Sequence, residues 1–198
     1  LDLHNLARNA IEVVSGAATE VLPELVRAGG SPGGARPKVL VGFSAHAEQL
    51  LCGEDELPEG FEHWIVKFPG LEDGPDAGAI EFAYSLMARD AGIEMPETRL
   101  FETREGDRFF GVRRFDRQVG RRRHAHTFGN LIHSNFRVPS ADYLDLLKAT
   151  SLLTRDHRHV LRAYRQAVFN VFARNRDDHV KNFSFLLDAQ SGEWALSP

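Results

Sequence analysis

The chain of 198 residues is 42% hydrophobic, enough to bury a core in one domain or two small lobes. Its 24 basic and 28 acidic residues leave a net charge of -4, which excludes a global field that would drive it onto nucleic acid. A single cysteine, Cys52, excludes an intramolecular disulfide framework and a multi-thiolate metal site, and fits a reducing cytoplasm.

No apolar run approaches the roughly 20 residues that span a bilayer. The opening Leu1-Asp2-Leu3-His4-Asn5 has neither a basic n-region nor an apolar h-region, so no signal peptide is expected. It also lacks an initiator methionine, which points to a piece of a longer protein.

Residues 1–28 read as helical, with Leu3, Leu6, Ala10, Ile11 and Val14 near helical spacing and Pro23 interrupting a second stretch. The glycines and proline of 29–34 then break regular structure. Strands are expected over Lys38–Ser44 and 63–69, separated by an acidic loop bearing glycine and proline. A helix over 79–91 would carry Ile80, Ala83, Tyr84, Met87 and Ala91 on one face, and Gly92 would stop it.

Two more strands, Thr98–Glu102 and 108–115, are joined by a turn at Gly106-Asp107. Beyond Asp116 the chain is basic through Arg123. Helices resume at 140–153, with Ser140 as N-cap, and at 157–173. The second carries an apolar stripe of Val160, Leu161, Tyr164, Ala167, Val168, Val171 and Phe172. A polar loop follows, and then a hairpin of 183–187 with Trp194–Leu196, turning at Gln190-Ser191-Gly192. This order predicts an α+β fold: a mostly antiparallel sheet with one helix, then a helical lobe. A doubly wound sheet would need regular strand–helix alternation.

The densest chemistry lies in Asn-Arg-Asp-Asp-His-Val-Lys-Asn (175–182). Phosphoryl transfer needs such a set: an aspartate to orient the acceptor hydroxyl, an asparagine to bind Mg²⁺, and a cation to offset phosphate charge. Asp177 and Asn182 have the spacing of a kinase catalytic loop, and Lys181 supplies the cation. The alternative is a solvated turn that caps a helix.

In Trp-Ile-Val-Lys-Phe (64–68), alternation puts Trp64, Val66 and Phe68 on one face and Lys67 with Ile65 on the other. An ammonium there needs an anion: a nucleotide phosphate, the carboxylate of Glu81, or both. An edge-strand lysine reaching water is the alternative. Glycines in 31–38 would let backbone N–H groups approach phosphate, although two prolines remove donors; an ordinary Gly/Pro turn competes.

Other residues carry weaker signals. His124 and His126 alternate as on an exposed strand, without a nearby third metal ligand. The arginines of 121–123 read as a solvated connector, a substrate or nucleic-acid contact being the alternative. Cys52 has nothing beside it to lower its pKa.

Together, Gly-Gly-Ser-Pro-Gly-Gly-Ala-Arg-Pro-Lys (29–38), Trp-Ile-Val-Lys-Phe-Pro (64–69), Arg-Arg-Phe-Asp-Arg (113–117) and Asn-Arg-Asp-Asp-His-Val-Lys-Asn-Phe-Ser (175–184) resemble the HipA family. These are serine/threonine kinase toxins of bacterial toxin–antitoxin modules, and their relatives. The resemblance runs from about residue 29 to the end. It implies a protein-kinase-like fold, with a small antiparallel N-lobe over 1–116, including the helical segment 1–28, and the start of a helical C-lobe over 117–198.

The resemblance also implies ATP and Mg²⁺ as cofactors. Its phosphate loop maps to Ser31, Pro32, Gly33, Gly34, Ala35, Arg36 and Lys38, and its ATP-contacting lysine to Lys67, paired with Glu81. The adenine-side hinge maps to Arg113 and Phe115. The catalytic aspartate maps to Asp177 with His179 beside it, and Asn182 to a metal ligand. Ser31 falls where family members autophosphorylate, and a phosphate there would repel ATP.

The partners implied are a protein substrate, which in family members is an aminoacyl-tRNA synthetase, and a HipB-like antitoxin. DNA would be met only through the antitoxin, and no membrane partner or location outside the cytoplasm is expected. The family's second Mg²⁺-binding aspartate and an N-terminal subdomain are not reached by this sequence, so the 198 residues alone are expected to transfer phosphate poorly. The competing expectations are a catalytically silent kinase-like binding module, and a metal-dependent phosphodiesterase or nuclease built from Asp177, Asp178 and His179. Dependence on ATP separates them.

Overall fold

A computed structural model describes residues 1–17, 20, 36–53, 56–118, 121–135, 138 and 141–198. Contacts divide the chain into two compact units: Leu1–Met87 with Pro96–Arg114, and Ala88–Met95 with Phe115–Pro198. Strands dominate the first and helices the second, the α+β arrangement expected. Among the described residues, no helix is long and apolar enough to cross a membrane.

The first unit is built on a five-stranded antiparallel sheet of β1 (Lys38–Ser44), β2 (Gln49–Cys52), β3 (Glu62–Lys67), β4 (Thr98–Glu102) and β5 (Arg108–Arg113), in the order β2-β1-β3-β5-β4. Alternation sends Val39, Val41, Phe43, Trp64, Val66 and Phe68 to one face, where all are buried. Helix α1 (Leu3–Ser15) covers that face with Leu3, Leu6, Ala7 and Ala10, one stripe at helical spacing. Phe43, Trp64 and Phe101 meet edge to face, with ring centroids 5.2 to 5.9 Å apart.

Asp2 caps α1 by accepting from the Asn5 amide at 3.1 Å, and Gly16 ends it at φ 73°, a left-handed value that suits glycine. The helix is thus shorter than the stretch 1–28, most of whose remainder lies outside the described residues, as do Ser31, Pro32, Gly33, Gly34 and Ala35. His4 Nδ1 and Asp107 Oδ2 are hydrogen-bonded at 2.6 Å, which staples α1 to the β4–β5 hairpin.

Three expectations for this unit need correction. Strand β2 stands where an acidic loop was expected; a four-residue strand with one neighbour needs little apolar pattern. Strand β5 stops at Arg113 instead of continuing to 115. Helix α2 (Ala77–Asp90) turns the opposite face inward: Ile80, Tyr84 and Met87 are exposed, while Gly78, Ser85 and Ala88 are buried. Small residues face inward because the backbones approach closely. A Cβ on Gly78 would lie 2.2 Å from the Arg108 carbonyl oxygen, and Ser85 Oγ is hydrogen-bonded to Thr98 Oγ1 at 2.9 Å.

The second unit holds a short hairpin of β6 (Arg117–Gln118) and β7 (Arg121–Arg122). Its three-stranded sheet combines β8 (His124–Thr127), β9 (Ser184–Leu187) and β10 (Trp194–Leu196) in the order β10-β9-β8. A short helix α3 (Phe128–Leu131) follows β8, and then come α4 (Tyr143–Thr154) and α5 (His157–Phe172). Phe128, Leu146, Ala163, Phe183, Phe185 and Leu196 form its core.

Helix α4 begins two residues later than expected on either side of its cap. Asp142 is the N-cap, and Asp142 and Asp145 bond each other's amides at 3.0 and 3.2 Å in a capping box. Ser140 lies outside the described residues. The stripe expected on α5 is only partly packed: Ala167 is buried, beside Ala163 and Asn170, whereas Leu161, Tyr164, Val171 and Phe172 are exposed, Phe172 by 85%. Of the two strand histidines, His124 is exposed as expected, but both ring nitrogens of His126 are buried without a hydrogen-bond partner.

Candidate active site

In the first unit, β3 ends on Lys67 and α2 brings Glu81 to it, so that the two side chains form a direct ion pair. Both are about one-third exposed, which leaves the ammonium open to a further anion. Lys67 Nζ also lies 5.3 Å from the centroid of Phe110. The register sets Lys38 directly opposite Lys67 on β1. Two ammonium-bearing side chains thus leave the same face of the sheet, where Glu81 pairs with Lys67.

Next along, Arg36 bonds Asp73 at 2.7 Å, and Asp73 also accepts from the Gly70 amide at 2.7 Å. The Gly70 amide, with Arg36 beside it, holds the Asp73 carboxyl below its usual range. The cluster fixes the segment after β3 against the chain that enters β1. At the far end of the sheet, Arg113 is paired with Glu62 at 2.9 Å and Glu97 at 3.6 Å. Phe115 begins the second unit.

In the second unit, α5 gives way to the 175–182 loop through Arg174, at φ 54°. Asp177 is held by its main chain: its amide donates to Asn175 Oδ1 at 3.1 Å, and its carbonyl oxygen accepts from Asn182 Nδ2. Its carboxylate is 89% exposed, with His179 Nε2 at 3.7 Å. The Lys181 amide donates to His179 Nδ1 at 3.3 Å. The sequence loop thus brings Asp177, His179 and Asn182 together, and Lys181 projects from its rim.

Mg²⁺ takes oxygen ligands. With its amide nitrogen committed to the Asp177 carbonyl, Asn182 has Oδ1 to offer, and Asp177 has an exposed carboxylate, so these two residues fit a hard cation. Asp178 does not join them. It turns inward and accepts from the Tyr143 hydroxyl. Burial, and then the bond to Asp178, push that hydroxyl up to about 12. Among the described residues, the carboxylate–histidine group with donors close enough to share one ion is His4, Glu105 and Asp107, in the first unit. A nuclease-type cluster of Asp177, Asp178 and His179 therefore lacks geometric support.

Sequence reasoning missed Tyr143, Asn170 and the Lys38–Lys67 register. Tyr143 opens a helix 32 positions before the loop, and only the fold joins them. The register could have been found by aligning the two strand patterns.

Against known families, the chain matches the HipA-like C-terminal domain over residues 30–198. It belongs to that family. No curated protein matches it. Among solved structures it resembles HipA of the Shewanella oneidensis MR-1 toxin–antitoxin system, solved with HipB and operator DNA. There the TM-score is 0.64 at 20% identity, over 96% of this chain and 48% of that one. It also resembles the Helicobacter pylori proinflammatory kinase CtkA, with TM-score 0.50 and 17% identity over 90% of this chain and 56% of that one. The HipA-like domain therefore has a kinase-like fold, and the chain spans about half the length of the structures it matches.

Proposed function

We propose that this HipA-like domain is the nucleotide-binding and catalytic-loop part of a protein kinase that transfers phosphate from ATP to a serine or threonine of a protein. The observation that carries the reading is the Lys67–Glu81 ion pair between strand and helix, with Lys38 opposite in register. That pairing is a recurrent kinase device for holding nucleotide phosphates. The kinase-like fold and the loop around Asp177 support the same reading.

ATP would supply the phosphoryl group and Mg²⁺ would offset its charge. Glu81 holds the Lys67 ammonium, which binds phosphate oxygens together with Lys38 and Arg36. Arg113 and Phe115 lie on the segment assigned to the adenine side. Asp177 accepts the hydrogen bond of the substrate hydroxyl and orients it, His179 and Lys181 stand on the loop rim, and Asn182 offers its side-chain oxygen to the metal. A HipB-like antitoxin is the proposed partner, because the Shewanella relative was solved with HipB and operator DNA. DNA would be reached through that antitoxin, in the cytoplasm.

The decisive experiment is transfer of radiolabelled phosphate from ATP by the full-length gene product, wild type beside Asp177→Ala and Lys67→Met. Loss of label in both is expected; undiminished labelling by either removes that residue from its role. Phosphopeptide mass spectrometry of ATP-treated protein checks Ser31, whose modification would switch the enzyme off.

A further inference from the structure

The 175–182 loop hangs from a relay anchored outside its own segment, at Asn170 and Tyr143. Asn175 Nδ2 donates to Asn170 Oδ1 at 3.3 Å, and the Asn175 amide donates to the Asn170 carbonyl at 2.9 Å. The Tyr143 hydroxyl donates to Asp178. These bonds grip the loop at Asn175 and at Asp178, one position on either side of the Arg176–Asp177 pair. Asn170 is buried, and the Tyr143 ring packs edge to face on Phe183 with centroids 6.2 Å apart, so the relay's inner members are fixed by the core.

We propose that Tyr143 is a positioning residue: with Asp178 as its anchor, it clamps the catalytic loop so that the Asp177 carboxylate is presented to substrate in one orientation. Three features support this. Asp177 is exposed and has no buried contact of its own to hold it, so its direction is set by the backbone on either side. The clamp is permanent at physiological pH, because the Tyr143 hydroxyl keeps its proton until far above neutrality. On the other side, the Gly129 amide donates to the Val180 carbonyl at 2.9 Å, and a Cβ on Gly129 would meet Val180 Cγ2 at 2.7 Å. That contact fixes the loop's exit while leaving its entry to Tyr143 and Asn170.

The catalytic half of this inference rests on the kinase reading; the clamp itself does not. The test uses the full-length gene product with Tyr143→Phe, Asp178→Leu and the double variant. Phenylalanine keeps the ring and its packing, and leucine fills about the space of Asp178 without an acceptor for the hydroxyl. Hydrogen exchange at the 175–182 amides is expected to quicken about tenfold in both single variants, while exchange in the β8–β10 sheet stays at the wild-type rate. In phosphate transfer, kcat is expected to fall between about tenfold and a hundredfold with KM for ATP within about twofold of wild type, and the double variant to be no worse than either single one.

Unchanged exchange in Tyr143→Phe, or losses that multiply in the double variant, overturns the clamp. Quickened exchange in a protein whose wild type transfers no phosphate upholds the clamp and sinks the kinase reading instead.

Discussion

Lys38 and Lys67 stand directly opposite each other on adjacent antiparallel strands, and Glu81 binds one of them. Cross-strand partners have Cβ atoms about 5 Å apart, and like charges so placed cost a few tenths of a kcal/mol. The proposed kinase role gives both ammonium groups the same further partner, nucleotide phosphate.

On that reading, replacing Lys38 by glutamine should weaken ATP binding by about tenfold. Calorimetric titration with ATP measures the loss, and a thermal melt beside it reads folding separately. Weaker folding with unchanged ATP affinity would refute the assignment.

Glycine-to-alanine changes inside helices usually stabilise by roughly 1 kcal/mol. At Gly78 the sign should reverse. The new methyl would press on the Arg108 carbonyl at 2.2 Å and push α2 from β5, costing about 1–3 kcal/mol by overpacking. Urea unfolding of Gly78→Ala measures it, and the same shift should carry Glu81 away from Lys67 and raise KM for ATP.

The Tyr143 hydroxyl, raised to about 12, favours the folded state in its protonated form. That contribution is fully present below the ordinary tyrosine value near 10 and is lost as pH rises through the folded value. Phenolate absorbance of the wild type minus that of Tyr143→Phe isolates this one group, and its ionisation should come near pH 12. A midpoint at an ordinary tyrosine value would show that the hydroxyl is not held by Asp178.

Polar replacements on the outward face of α5 should be nearly free. Val171→Gln and Phe172→Gln together are expected to shift stability by no more than about 0.5 kcal/mol, because neither side chain is buried. They should also lower dye binding to exposed apolar surface. Loss of several kcal/mol would mean that this face is covered in the folded protein.

Much of this fold was legible in the sequence, where one rule dominates. Strand β3 follows period-two alternation, as does β1 over its first four residues, because each has one face against α1 and the aromatic cluster. Helix faces were misread for a common reason. In α2 and α5 most of the largest apolar residues are not the ones packed: Gly78, Ser85 and Ala163 are buried instead, and at Gly78 close backbone approach is the reason, of which a periodic pattern carries no signal. The candidate site divides similarly. The Lys67–Glu81 contact follows from alternation, whereas the Tyr143–Asp178 bond and the Lys38–Lys67 register are contacts that only the fold creates.

Because the main chain, and not the side chain, ties Asp177 into its surroundings, its carboxylate can be altered without touching the bonds that shape the segment. On the proposed kinase role, a protein made inactive there should keep its native form and its stability. Such a variant is a clean tool for telling effects of phosphate transfer in the cell from effects of mere presence.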